Sequence, residues 1–145
     1  MKRHGFTLIE IMLVVIIIGV LIAMVAPNLA GRSEQARKTA ARTDIESNLS
    51  TALDLYKMDN GAFPTTEQGL PSLLTAPSIA PVPNNWAGPY LKKKKLPKDP
   101  WGKEYVYASP GSHDAAGYDL SSLGADGVES ADDITNWQGE GGSKE

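Results

Sequence analysis

Cysteine is absent from the 145 residues, which removes disulfides, thiolate metal sites and cysteine nucleophiles together. A small extracytoplasmic domain built from this chain therefore needs another staple. Histidine is scarce, with His4 and His113 the only two, and the ingredients for a catalytic triad or a histidine-rich metal site are correspondingly few. No phosphate-binding glycine loop is present, and no serine lies in a nucleophile-elbow motif. Enzyme activity is not indicated. An excess of basic residues is missing too: the formal net charge is -3, and no aromatic-rich basic motif appears, which argues against nucleic acid as a partner. The length leaves room for one small domain plus an appendage.

What the chain does have is an apolar amino terminus. From Phe6 to Ala26 it is almost wholly apolar, with Glu10 its one charge, close to the ~20 residues that a bilayer requires. Three readings compete for this segment: a cleaved secretory signal, an ordinary membrane anchor, and a helix kept after processing. A conventional signal wants small residues at the first and third positions before its cut, yet Ala26 is followed by Pro27 and has Met24 two residues before it. An ordinary anchor accounts for the length and for Lys2, Arg3 and His4, which hold that end in the cytoplasm. It leaves Glu10 unexplained, because an ionised carboxylate in such a segment costs ~2.5 to 3.5 kcal/mol near the bilayer centre and needs a partner.

Gly5-Phe6-Thr7-Leu8-Ile9-Glu10, preceded by a very short basic leader, resembles the processing site of type IV pilins and pseudopilins. The resemblance implies that prepilin peptidase cuts between Gly5 and Phe6 on the cytoplasmic side and that the new Phe6 amine is methylated. The helix then stays in the mature protein, and Glu10 of one subunit can pair with the Phe6 amine of a neighbour. A buried ion pair of this kind is better at fixing register than at adding stability. Pro27 removes a helix hydrogen bond, so a kink or locally unwound stretch is expected around Ala23 to Pro27, with Gly19 a second soft point.

Beyond Pro27, strong helix formers run from Ser33 to about Met58. Ile45, Leu49, Ala52, Leu53 and Tyr56 form one apolar stripe that should pack on a sheet. Arg37, Lys38, Arg42, Asp44, Glu46 and Asp54 lie on the other face, in solvent or against neighbouring subunits. Asp59-Asn60-Gly61 stops the helix near Asn60. Leu70, Leu73 and Leu74 suggest a second, brief helix with Pro71 in its first turn. Prolines at 77, 81, 83, 89, 97 and 100 exclude regular structure from most of the stretch between Ala76 and Pro100, which reads as an ordered irregular loop. Within it, Lys92 to Lys95 is a solvated charge run or a contact for an acidic neighbour. Tyr105-Val106-Tyr107 and Tyr118-Asp119-Leu120 are short strand candidates, with Ile134 and Trp137 as possible extensions, and together they predict a small antiparallel sheet. Residues 139–145 read as a frayed polar tail.

The one chemical constellation is Leu123 to Asp133, where Asp126, Glu129, Asp132 and Asp133 lie in a glycine-containing segment. By pattern alone this is either an acidic surface turn or a loop of hard oxygen ligands for calcium, and its spacing is not that of an EF-hand. The family likeness extends over nearly the whole chain, through Leu55 to Gly61, Phe63 to Leu70, Gly88 to Leu91, Pro97 to Gly102, Ser122 to Gly127 and Asp132 to Trp137. These segments are similar to major pseudopilins of the bacterial type II secretion system. The resemblance implies a calcium loop in which Asp126, Asp132 and Asp133 supply carboxylates and Leu123 and Val128 backbone oxygens, with Ser130 a further candidate. The loop is several residues shorter than the glycine-rich form common in the family. Such a Ca2+ clip would serve as the staple that a disulfide-free head needs. Trp101 and Trp137 are assigned to packing.

The expected architecture is α+β and pilin-like: a long amino-terminal helix packed on a small antiparallel sheet with an ordered irregular loop. It divides into a cleaved leader, 1–5, a transmembrane and filament-core helix, 6–30, and a periplasmic head, 31–145. The resemblance implies a single-pass inner-membrane protein that polymerises into a periplasmic pseudopilus and drives export of folded proteins across the outer membrane. Its implied partners are further copies of itself, minor pseudopilins, prepilin peptidase and an inner-membrane assembly platform, with energy from a separate cytoplasmic ATPase. A type IV pilin for adhesion, motility or DNA uptake is the alternative within the same fold, disfavoured by the missing carboxy-terminal cysteine pair.

Overall fold

A computed structural model describes residues 5–138 of the chain, with side chains described throughout except for residues 25–30. The leader residues 1–4 and the polar tail 139–145 lie outside the described residues. The chain divides into two units, Met1–Ala36 and Arg37–Glu145.

The first unit is helical. Thr7 opens helix α1 (Leu8–Thr43), its Oγ1 accepting the Glu10 N–H at 3.3 Å, which satisfies one of the donors that a helix start leaves unpaired. Thr7 and Glu10 stand in the spacing of a capping box, and Glu10 places its carboxylate in the first turn. Phe6 and the large apolar side chains from Leu8 to Met24 are exposed on every face of the helix, each by about half or more. The expected unwinding over Ala23 to Pro27 is not seen, because α1 runs through Pro27 unbroken. A proline deletes a single i→i−4 hydrogen bond, and the bonds around it hold the helical path. The membrane span expected over 6–30 reaches into the residues whose side chains are not described. Among the described residues no helix is long and apolar enough to cross a membrane.

The second unit is built around the stripe foreseen from the sequence. Ile45, Leu49, Ala52, Leu53 and Tyr56 are all buried, and Ala41, which was not part of that stripe, is buried with them, but the helix carrying them is not uniform. A π-helical turn, Asp44–Leu49, separates α1 from α2 (Ser50–Asn60). Two successive four-residue steps, Ala41 to Ile45 to Leu49, would drift about 40° each around a regular α-helix. The wider π turn absorbs that drift and keeps all three on the sheet-facing side. Helix α2 ends where Gly61 turns left-handed at φ 82° and donates its N–H to the Lys57 carbonyl at 2.7 Å, a conformation that favours glycine.

The sheet has order β1-β2-β3 and is antiparallel throughout. Strand β1 (Val106–Ala108) pairs with β2 (Asp119–Ser122), Tyr107 opposite Leu120, and β2 pairs with β3 (Ile134–Thr135), Ser122 opposite Ile134. Tyr105, Tyr107, Leu120 and Ile134 close the core over the helical stripe. The brief helix at Pro71 is a 3-10 turn, Leu70–Leu73. The proline-rich segment after it is ordered by specific hydrogen bonds. Gln68 Nε2 donates to the carbonyls of Ile79 and Pro81, each at 2.8 Å, Trp86 Nε1 donates to the Ser72 carbonyl at 2.9 Å, and Tyr90 N–H donates to the Leu73 carbonyl at 2.8 Å. Lys92 to Lys95 are exposed. Trp137 lies beyond β3, stacked on the His113 ring with centroids 4.1 Å apart.

Candidate functional site

Two places carry the residues singled out above. The first is the start of α1. Gly5 and Phe6 precede the helix without regular secondary structure; Phe6 is 79 % exposed, and no atom of another residue, chain neighbours aside, lies within 4 Å of where a Gly5 side chain would be. The Gly5–Phe6 bond lies ahead of the first residue of α1, Leu8. Glu10 is exposed one helical turn further on.

The second place is the acidic loop between β2 and β3, which is tied down at its start by a residue the sequence reading passed over. Asp99 is 3 % exposed. Its Oδ1 accepts the backbone N–H of Trp101 at 3.1 Å and of Lys103 at 2.7 Å, and its Oδ2 accepts the Ser122 hydroxyl at 2.7 Å. Ser122 Oγ in turn accepts the Gly124 N–H at 3.3 Å. One buried carboxylate therefore joins the Pro97 to Gly102 turn to the last residue of β2.

From there the loop makes two small turns. In the first, the Leu123 carbonyl accepts the Gly127 N–H and Asp126 Oδ1 accepts the Val128 N–H, both at 3.1 Å. In the second, the Ser130 N–H donates to Asp133 Oδ2 at 3.1 Å and the Ser130 hydroxyl donates to Asp132 Oδ1 in a short hydrogen bond. That hydroxyl holds the exposed Asp132 carboxyl below the usual carboxylate range. Asp132 Oδ2 also comes over Gly124, 4.0 Å from where a side-chain carbon there would lie, so the loop folds back on itself. Asp133 Oδ1 is buried with no hydrogen-bond partner.

An orphaned buried carboxylate oxygen in an all-oxygen loop suits a hard cation, since leaving such an atom unsatisfied is costly. Asp132, Asp133 and Ser130 are brought together, whereas Asp126 is turned onto its own backbone and Val128 is exposed. Among the described residues no three histidine, aspartate or glutamate side chains are gathered closely enough to hold a metal ion on their own. The Asp132 and Asp133 carboxylates are donors of the kind calcium takes, and the Leu123 carbonyl and Asp126 belong to the other turn of the loop.

A further cluster escaped the sequence reading altogether. Asp119, 8 % exposed at the start of β2, accepts hydrogen bonds from the Ser112 N–H at 2.9 Å and the Ser112 hydroxyl at 2.7 Å, and lies 2.9 Å from His113 Nδ1. Burial pushes its carboxyl up, but the hydrogen bonds from the His113 ring, the Ser112 hydroxyl and the two backbone N–H groups outweigh this and hold it at about 2.

Comparison with known proteins decides what the two places belong to. Residues 28–137 match the family described as type II secretion system protein G, and residues 1–26 match the prokaryotic N-terminal methylation motif. The chain belongs to the type II secretion system protein G family. It is 52 % identical over 140 residues to the type II secretion system core protein G of Escherichia coli K12, covering 94 % of this chain and 92 % of that one. It is 50 % identical over 141 residues to its namesake in Vibrio cholerae, at 94 % and 92 % coverage. The fold is similar to the crystal structure of the major pseudopilin from the type 2 secretion system of enterohaemorrhagic Escherichia coli. The TM-score is 0.65 and the identity 40 %, over 77 % of this chain and 95 % of that one. Protein G is a structural pseudopilin family and not an enzyme family, and the pilin-like α+β architecture expected from the sequence is the one found.

Proposed function

We propose that this pseudopilin is inserted in the bacterial inner membrane through residues 6–30, is cut by prepilin peptidase between Gly5 and Phe6, and then polymerises by its amino-terminal helix into the periplasmic pseudopilus. Growth of that filament on an inner-membrane assembly platform, fuelled by a separate ATPase and tipped by minor pseudopilins, drives folded proteins across the outer membrane. The observation that carries this reading is the apolar surface of Phe6 and of α1 from Leu8 to Met24, exposed on all faces and broken by a single acid at Glu10. A helix apolar all round is stable only when covered, by lipid before assembly and by other copies of the helix afterwards.

Cutting at Gly5 creates a cationic amine on Phe6, and Glu10 of an adjoining subunit is the acid placed to receive it. The exchange of lipid for neighbouring helices then has a defined register, since a Glu10 carboxylate left unpaired among apolar side chains is costly. In the head, the carboxylates of Asp132 and Asp133 and the Leu123 carbonyl would hold calcium, with Asp126 and the Val128 carbonyl adjoining. Bound there, Ca2+ would crosslink the second turn of the acidic loop to the first and so stabilise the carboxy-terminal segment on the sheet. The support for this is the buried, unpartnered Asp133 Oδ1.

Intact-mass measurement on protein extracted from membranes tests the processing step on which the rest depends. A chain beginning at Phe6 and heavier by one methyl group is expected. Retention of residues 1–5 overturns the reading.

A further inference from the structure

We infer that Lys103 is a cation built into the acidic loop, whose ammonium keeps the loop's first turn folded whether or not a metal ion is bound. The residue starts from a fixed base. Asp99 Oδ1 accepts the Lys103 N–H at 2.7 Å, and the Lys103 carbonyl accepts the Asp99 N–H at 2.8 Å, so both backbone polar groups are held by one buried aspartate. From there the side chain crosses to the loop more than twenty residues further along the chain, and its Nζ donates to the carbonyls of Gly124 at 3.1 Å and Ala125 at 3.0 Å.

The seat is shaped around the side chain. A β-carbon at Gly127 would fall 2.8 Å from Lys103 Cε and closer still to Nζ, and Gly127 itself is left-handed at φ 72°. The lysine end therefore lies directly across the turn, where a side chain at position 127 would displace it, and the left-handed backbone there favours glycine. The choice of acceptor is informative. With Asp126, Glu129, Asp132 and Asp133 all in the loop, Lys103 pairs, among the described residues, with none of these carboxylates but with two carbonyl oxygens. Convergent carbonyls are the atoms a hard cation takes, and here the protein's own ammonium fills that place. The carboxylates of the second turn are left to an external ion. Hydrogen bonds from an ionised donor are roughly twice as strong as neutral ones, and these two add to the Asp99–Ser122 bond that joins the same segments.

This inference adjoins the calcium reading, and its test separates the two. Full-length wild type and Lys103→Met, which keeps the stem and removes the ammonium, are compared in detergent with calcium or with a chelator. The probe is a serine protease that cuts after glutamate and aspartate and needs no metal itself, and mass spectrometry locates the cut. In chelator, Lys103→Met is expected to be cut after Asp126 or Glu129 about tenfold faster than wild type, from increased local opening of the loop. Equal rates in chelator overturn the inference, and so does faster cutting spread over the whole head, which marks a general loss of stability. If calcium protects neither protein while the chelator difference stands, the inference holds and the calcium reading falls.

Discussion

Replacing Glu10 with leucine is expected to abolish pseudopilus assembly while leaving the protein in the inner membrane and the Gly5–Phe6 bond cut. The direction follows from two opposed effects at one position. Removing an acid from an apolar helix makes residence in lipid easier, by ~2.5 to 3.5 kcal/mol at the bilayer centre and less towards its edge. On the pairing proposed above, the same substitution would strand the Phe6 amine of a neighbouring subunit among apolar side chains of the filament, and breaking one half of a buried pair costs about 3–5 kcal/mol. The membrane-bound state gains and the assembled state loses, so the balance shifts by several kcal/mol against polymerisation. Filament yield from cells overproducing the variant, with membrane fractionation and intact mass as controls, measures it. Filaments at wild-type yield would contradict the register role of Glu10.

Asp119→Ala is expected to destabilise the head by about 3 kcal/mol, since it strips a buried acceptor from the Ser112 and His113 N–H groups, the Ser112 hydroxyl and the His113 ring together. In a head of this size that corresponds to a melting temperature lower by about 10 °C or more. The milder Asp119→Asn reads out the charge. Because the folded carboxyl sits at about 2, below its ordinary value of 3.8, its contribution is fully present above pH 4. It is lost as the pH falls towards 2, and amounts to about 2 kcal/mol. Urea midpoints measured across that window should fall more steeply with acid for wild type than for Asp119→Asn. Parallel pH profiles would show that the cluster holds no ionised carboxylate.

The contrast between Glu10 and Asp99 shows where the sequence was readable. Glu10 stands out because its surroundings are local: one acid in an apolar run is anomalous whatever the rest of the chain does. The same holds for the Ile45 to Tyr56 stripe, for Gly61 as a helix stop and for Pro71 in a first turn, all set by periodicity or backbone chemistry within a few residues. Asp119 finds its partners Ser112 and His113 only seven and six residues back, with no local motif to mark them, whereas Asp99 and Lys103 have nothing unusual beside them. Their roles come from partners such as Ser122, 23 residues from Asp99, or Gly124, 21 residues from Lys103, which only the folded sheet brings within reach. A buried aspartate between Lys98 and Pro100 is legible as a turn residue, and the turn it makes is real, but not as the tie to β2.

The π turn at Asp44–Leu49 was hidden for another reason. Helix formers run through it without a break, and what distinguishes it is the double step of four in Ala41, Ile45 and Leu49, matched to a sheet whose position the sequence does not state. It also delivers Asp44 to the buried Tyr105 hydroxyl, which donates to Asp44 Oδ2 at 3.0 Å, while Asn48 Nδ2 donates to Asp44 Oδ1 at 2.6 Å. Asp44, assigned from the sequence to solvent or to neighbouring subunits, thus fastens the helix to the strand region of its own head. Burial first, and then the Asp44 charge, push the Tyr105 phenol far above its usual range, so it remains a neutral donor at any physiological pH.

Secretion itself is the most direct measurement of the account as a whole. In a strain lacking this chain, folded substrates of the type II system are expected to accumulate in the periplasm. Their appearance in the medium should return with the wild-type chain and not with Glu10→Leu. Undiminished secretion in the deletion strain, together with loss of surface motility or DNA uptake, would contradict the account and make the chain a pilin of the other kind.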